Sequence, residues 1–249
     1  MTDTRRYGEE PAAQTSTSGR LGFTAAMVTA VVAGIAFGLA LIAVPVSGEN
    51  CPGNCVSYPY LDTVSRFPRD FLWMPAAILL ALACVALMAA IHASAPAQTK
   101  GFSQVGLSFA LLAAVILASD YYIQFSVIPM SLLSGETEGL AMLIQYNPHS
   151  VFIMLEELGY LAMSLAFVFM APVFAGRSRL EAAVRWVFVL AFALAFGALA
   201  VIDIRYGFGR GDRLEVALIS IDWLALIVNG ILLSVWFGRQ MRADKRLAG

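Results

Sequence analysis

Six stretches of the chain, each longer than twenty residues, are dominated by apolar side chains and carry few charges. A helix rises ~1.5 Å per residue and the hydrocarbon core of a bilayer is about 30 Å thick, so roughly 20 apolar residues make one crossing. The runs place helices at 21–46, 71–95, 102–128, 150–175, 182–204 and 214–238. The expected fold is all-α, a polytopic transmembrane bundle of six helices over 21–238. A disordered tail over 1–20 precedes it and a basic tail over 239–249 follows. The third run is longer than a bilayer needs, so it is expected either to tilt or to emerge at Pro129, where the missing N–H and fixed φ favour a break. The first run is too long for the core of a signal peptide and has no clear cleavage site, so it reads as a retained helix.

Composition agrees, with 59% apolar residues and 13% charged, about half the charged share of a soluble domain. The net charge is −1 and the basic residues are scattered, which leaves no footprint for nucleic acid. Their distribution does set an orientation. With the N-terminus inside, eleven basic residues flank the cytoplasmic ends and five the external ends, so both termini are expected in the cytoplasm. Cys51 and Cys55 then fall in the first external loop, where an oxidising compartment permits a disulfide. Their spacing is not that of a thiol oxidoreductase, and a structural staple is the favoured role.

The long connections, 47–70 and 129–149, both fall outside. In the second, Leu140, Leu143 and Ile144 keep a helical spacing before Pro148, consistent with a short interfacial helix or with an irregular lid. Along the first helix Ala26, Ala30, Gly34 and Gly38 form a ridge without bulky side chains. It suits either an internal neighbour or a homo-oligomer contact, with the internal neighbour favoured. Phe71, Trp73, Trp186 and Trp236 near helix ends fit an aromatic belt.

Ionisable groups inside the bilayer cost on the order of 3 kcal/mol each, which makes them site candidates. Asp120, Glu156, Glu157, Asp203 and Asp222 form this set, with Asn229 one heptad beyond Asp222. Asp120 precedes Pro129 by nine residues, Glu157 follows Pro148 by nine and Asp222 follows Arg213 by nine. That sets each roughly 13 Å below the outer boundary. Glu157, Tyr160 and Ser164 share a stripe, Asp120 and Gln124 share a face, and Glu215, Asp222 and Asn229 recur every seven residues. One expectation is an outward-opening acidic pocket built from Asp120, Gln124, Glu156, Glu157, Tyr160, Asp222 and Asn229. Such carboxylates cannot all stay ionised together, so the pocket would take a proton, a cation or a ligand amine. The other is that each acid is satisfied locally, Asp203 by Arg205 and the others by tyrosines, and merely fixes helix register.

The inventory also excludes chemistry. No lysine falls within the six runs, so no retinal Schiff base can form. His92 and His149 are expected at opposite faces of the membrane and cannot ligate one haem or one metal together. Gly207, Gly209 and Gly211 make an external turn with no preceding strand and no lysine for a nucleotide. No cofactor and no resident metal are expected.

Gly135-Glu136-Thr137-Glu138-Gly139, then Gln145-Tyr146-Asn147-Pro148-His149 running into Glu156-Glu157-Leu158-Gly159-Tyr160, resembles an uncharacterised group of bacterial six-helix membrane proteins. The resemblance covers most of the helical region; it implies a multi-pass protein of the bacterial plasma membrane, without any activity. Three function classes stand. The first is binding of a small molecule, membrane lipid or cation in the acidic pocket, or service as an accessory subunit. The second is proton- or cation-coupled transport. The third is an intramembrane lipid-modifying enzyme, for which no nucleophile or metal set is present. The first stands ahead of the second, and both ahead of the third. The outer half holds most of the polar residues and the cytoplasmic half reads as an apolar plug.

Overall fold

The structure is a computed structural model that describes residues 10–43, 47–48, 51–53, 55–176 and 178–248. Six long helices account for it: α1 (Glu10–Ile42), α2 (Trp73–Ser94), α3 (Lys100–Leu133), α4 (Val151–Met170), α5 (Arg179–Tyr206) and α6 (Arg213–Ala248). Among the described residues there is no strand, and all six helices are long and apolar enough to cross a membrane.

Helix ends depart from expectation where end chemistry overrides apolar periodicity. Residues 1–9 of the expected tail lie outside the described residues, but α1 starts at Glu10, within that tail. Pro11 costs nothing in a first turn, where N–H groups lack partners anyway. At the other end α6 runs on through Arg239, Arg242, Lys245 and Arg246, cations that suit the negative end of a helix dipole. Pro129 does not break α3, which continues to Leu133. A proline inside a helix removes one hydrogen bond, and here the turn before it is tied by the Ser126 hydroxyl, which donates to Tyr122 O. Ser150 caps α4, accepting from Ile153 N at 3.3 Å. Ser178 and Glu181 form a capping box on α5.

Successive helices run antiparallel. The connections 43–72, 134–150 and 207–212 gather at one end of the bundle, the loop end. The short turns 95–99 and 175–178 gather with the described chain ends at the other, the terminal end. α1, α2, α3, α4 and α6 pack in a closed ring, and α5 lies outside against α4 and α6. Lipid is as apolar as a leucine side chain, so close packing rather than exclusion of water holds such helices together. Gly230 of α6 lies directly against the backbone of α1. A Cβ there would sit 2.8 Å from Ala26 O and 2.8 Å from the Ala30 methyl. The small-residue ridge of α1 is therefore divided: Ala26 and Ala30 face α6, while Gly34 and Gly38 face open space.

Cys51 and Cys55 are joined by a disulfide. The second connection forms one short 3₁₀ turn at Leu140–Met142 and folds inward. Leu140, Ile144 and Tyr146 pack on Ile128 of α3 as a small second core that covers the ring's loop end. The apolar spacing of Leu140, Leu143 and Ile144 thus belongs to a packed lid, not to a helix lying along an interface.

Candidate functional site

A cavity of about 310 Å³ lies at the loop end, between α1, α2, α4, α6 and the two long connections. Its walls are apolar and aromatic, with Phe37, Trp73, Tyr146 and Trp223 among them. Asp70, Asp212 and Glu215 also line it, and no lysine, arginine or histidine does among the described residues. Asp70 is buried and ties the walls together. It accepts from Arg69 Nε at 2.7 Å and from the Tyr146 hydroxyl at 3.2 Å, and its backbone carbonyl accepts from Trp73 Nε1 at 3.1 Å. Burial, with the neighbouring Asp70 carboxylate adding to it, pushes the Tyr146 phenol up. That phenol is a donor to Asp70 throughout the neutral range.

Behind the cavity lies a layer of three carboxyls from three helices. Glu215 of α6 lines the wall and meets Glu156 of α4, which is fully buried. Asp120 of α3 is 3% exposed and within electrostatic reach of both. Both Glu156 carboxyl oxygens and Asp120 Oδ2 are buried without a hydrogen-bond partner of good geometry among the described residues. Buried polar atoms are rarely left this way unless a water, ion or ligand completes them. Among the described residues no three acid, histidine or cysteine groups converge closely enough to hold a metal ion.

Deeper in the ring the polar groups find partners. The Tyr121 and Tyr160 hydroxyls lie 2.7 Å apart, and Trp223 Nε1 donates to the Tyr160 hydroxyl at 3.0 Å. The Trp73 ring stands edge-on to Tyr121 with centroids 5.0 Å apart, closing an aromatic floor. One turn further along α4, Ser164 Oγ donates to Asp222 Oδ1 at 2.8 Å, while Asp222 Oδ2 has no partner among the described residues. Below that, Asn229 Nδ2 donates to Val184 O at 3.4 Å.

The seven expected site residues are therefore distributed rather than gathered at one level. Asp120 and Glu156 share the carboxyl layer, and Tyr160 belongs to the floor beneath it. Gln124 holds the lid, donating to Leu143 O and accepting from Gln145 N at 3.2 Å. Glu157 turns to the side of the bundle and pairs with Arg210, which also binds Asp203 at 2.6 Å. Arg205 instead lies over the Tyr206 ring. Asp222 and Asn229 sit deeper. The nine-residue offsets misjudged depth because α3 ends at Leu133 and α4 starts at Val151. Counted along its own helix, Asp120 lies about 20 Å from the end of α3, Glu157 about 9 Å from the start of α4 and Asp222 about 13 Å from the start of α6. Because the helix ends are not level, these counts do not translate into depth.

Two cavity acids were not among the candidates. Glu215 carried a signal, since it heads the seven-residue stripe of α6, but it stands two residues from that helix's start and reads as a rim charge. Asp70 carried none: beside Arg66 and Arg69 it looks like ordinary loop charge, and only the fold buries it. Far from the cavity, His92 Nδ1 pairs with Ser103 Oγ at 2.8 Å near the terminal end. Comparison with protein-family models, with curated proteins and with solved structures finds no match to the chain.

Proposed function

We propose that this multi-pass membrane protein binds a small organic cation with an apolar body in the loop-end cavity. We further propose that the cavity opens on the non-cytoplasmic side of a bacterial plasma membrane. One observation carries the reading: the cavity presents carboxyls and aromatic faces, with no basic side chain in its lining among the described residues. Asp70 is matched by Arg69, but among the described residues no cation pairs with Glu215, Glu156 or Asp120. An organic ammonium supplies the missing charge, and the rings of Trp73 and Trp223 offer it the electron-rich faces that such cations prefer. The volume lies at the small end of the range for ligand sites, about 300 to 1,000 Å³. The excess of basic residues at the opposite end and the disulfide in a loop-end connection support the orientation.

Thermal unfolding of the protein in lipid nanodiscs tests the reading. Benzyltrimethylammonium should raise the midpoint in a saturable way, and phenylacetate, of similar size and opposite charge, should not. Equal stabilisation by both, or by neither, would remove the cation site.

A second reading, proton- or cation-coupled transport, is favoured by the unpartnered oxygens of Asp222 and Asn229 below the floor. These groups would carry a polar path further into the bundle. It stands second because rings close the terminal half: Phe167 stacks on Phe188 at 5.3 Å and Phe174 meets Trp236 at 5.2 Å.

A further inference from the structure

The carboxyl layer behind the cavity has an unsolved charge problem, and its solution assigns a second role to the same site. Every charged or titratable group facing it matters. From α3 come Asp120 and Tyr121, from α4 Glu156, Glu157 and Tyr160, from the turn before α6 Asp212, and from α6 Glu215. Of the cations at the loop end, Arg210 is shared between Glu157 and Asp203, and Arg213, the first residue of α6, lies over the Tyr206 ring. Arg69, across the cavity, is held by Asp70. α1 contributes only apolar and small residues to this wall. Several carboxylates in one buried layer repel one another and lose their hydration, so the layer is stable only with positive charge placed among them. When the cavity is empty that charge is a proton on a carboxyl. When a permanent cation is present, the cation can do the same work.

Resting on the cation reading above, we propose that cation binding and protonation of the Asp120–Glu156–Glu215 layer exclude one another, so that the bound cation is exchanged for a proton. The balance is simple. A carboxyl O–H bond breaks, its electron pair stays on the oxygen, the proton passes to water in the cavity, and the carboxylate left behind pairs with the ammonium. Glu215 forms part of the wall, so the proton has a direct exit at the loop end and no path through the bundle is needed. Glu156 touches Glu215 but does not line the cavity, so the two carboxyls share the exchangeable proton, and when it leaves by way of Glu215 the carboxylate that pairs with the ammonium is that of Glu215.

The test uses the full chain in lipid nanodiscs and benzyltrimethylammonium, whose own charge does not titrate. Tryptophan fluorescence gives the binding curve at pH 6 and pH 8, and a pH-indicating dye in weak buffer gives the protons released. Binding should strengthen as pH rises, by up to about tenfold per unit if one proton is exchanged, and the dye should report acidification that saturates with the binding curve. Glu156→Gln should still bind the cation while losing most of the pH slope and of the proton release. If that variant does not fold, Asp120→Asn reads the same quantity. Equal affinity at both pH values with no proton released would overturn the exchange and leave the cation reading intact. Full release from both amide variants would take the proton away from this layer. No binding of the cation at any pH would overturn both readings.

Discussion

The two halves of this bundle are built from the same helices but solve opposite problems. At the terminal end α4 with the turn after it, α5 and α6 interlock through Phe167, Phe174, Phe188, Trp236 and Phe237, large rings with almost no polar group among them. At the loop end the bundle leaves a cavity, buries carboxyl oxygens that have no partner among the described residues, and closes with a folded lid. A segment packed in lipid gains from filled space and loses by burying unpaired charge. The terminal half follows that rule and the loop half departs from it. Departures of this kind are expected where stability has been exchanged for a site.

Substitutions that sharpen the contrast range from large to small in effect. Phe188→Ala removes a fully buried ring that contacts both Phe167 and Phe174. It should cost ~3–5 kcal/mol, seen as a lower unfolding midpoint in detergent, with benzyltrimethylammonium binding unchanged in whatever protein remains folded. Leu194→Ala on the lipid-facing side of α5 should shift the midpoint by an amount within error, and a loss equal to that of Phe188→Ala would mean that α5 packs elsewhere. Gly230→Val forces a branched side chain against Ala26 O and Ala30. A cost on the order of 1–3 kcal/mol is expected, measured in the same way.

In the loop half, Trp223→Phe keeps a ring on the cavity wall but deletes the donor to Tyr160. Stability should fall by ~1 kcal/mol, and cation affinity by a few-fold because the ring face is poorer. A further effect concerns the lid. The unfolded chain loses a tyrosine proton near pH ~10, whereas burial and Asp70 push Tyr146 up and keep its proton on in the folded state. The contribution of this group is whole below about pH 10 and is lost as pH rises further. Tyr146→Phe should therefore flatten the alkaline fall in the unfolding midpoint, at a cost of about 1 kcal/mol at neutral pH.

Much of the fold was legible because the bilayer imposes a length and a polarity on each crossing. All six helices follow from the apolar runs, and the Cys51–Cys55 pair from its loop. Helix ends were less legible. Pro129 and the tails are decided by capping, by a neighbouring serine and by terminal charge, which periodicity does not register. The site was legible in its residue types and not in its grouping. Asp120, Glu156, Glu157 and Asp222 were all visible as costly groups, but a heptad fixes only which face a residue occupies, and helix tilt and starting height decide which acids meet. Asp70 and Glu215 entered through contacts between segments far apart in sequence, such as the hydrogen bond from Tyr146 to Asp70.

The central claim is that the loop half is a cation site and the terminal half its support. Titration of benzyltrimethylammonium against tryptophan fluorescence, in wild-type, Glu215→Gln and Phe188→Leu proteins held in nanodiscs, addresses it most directly, since Trp73 and Trp223 line the cavity. The account predicts saturable binding to the wild type that phenylacetate does not compete for. It predicts affinity weakened by about tenfold or more in Glu215→Gln, where one charged partner worth ~1.5–3 kcal/mol is lost, and unchanged affinity in Phe188→Leu despite its lower unfolding midpoint. Equal affinity in wild-type and Glu215→Gln proteins, or equal competition by phenylacetate, would contradict it.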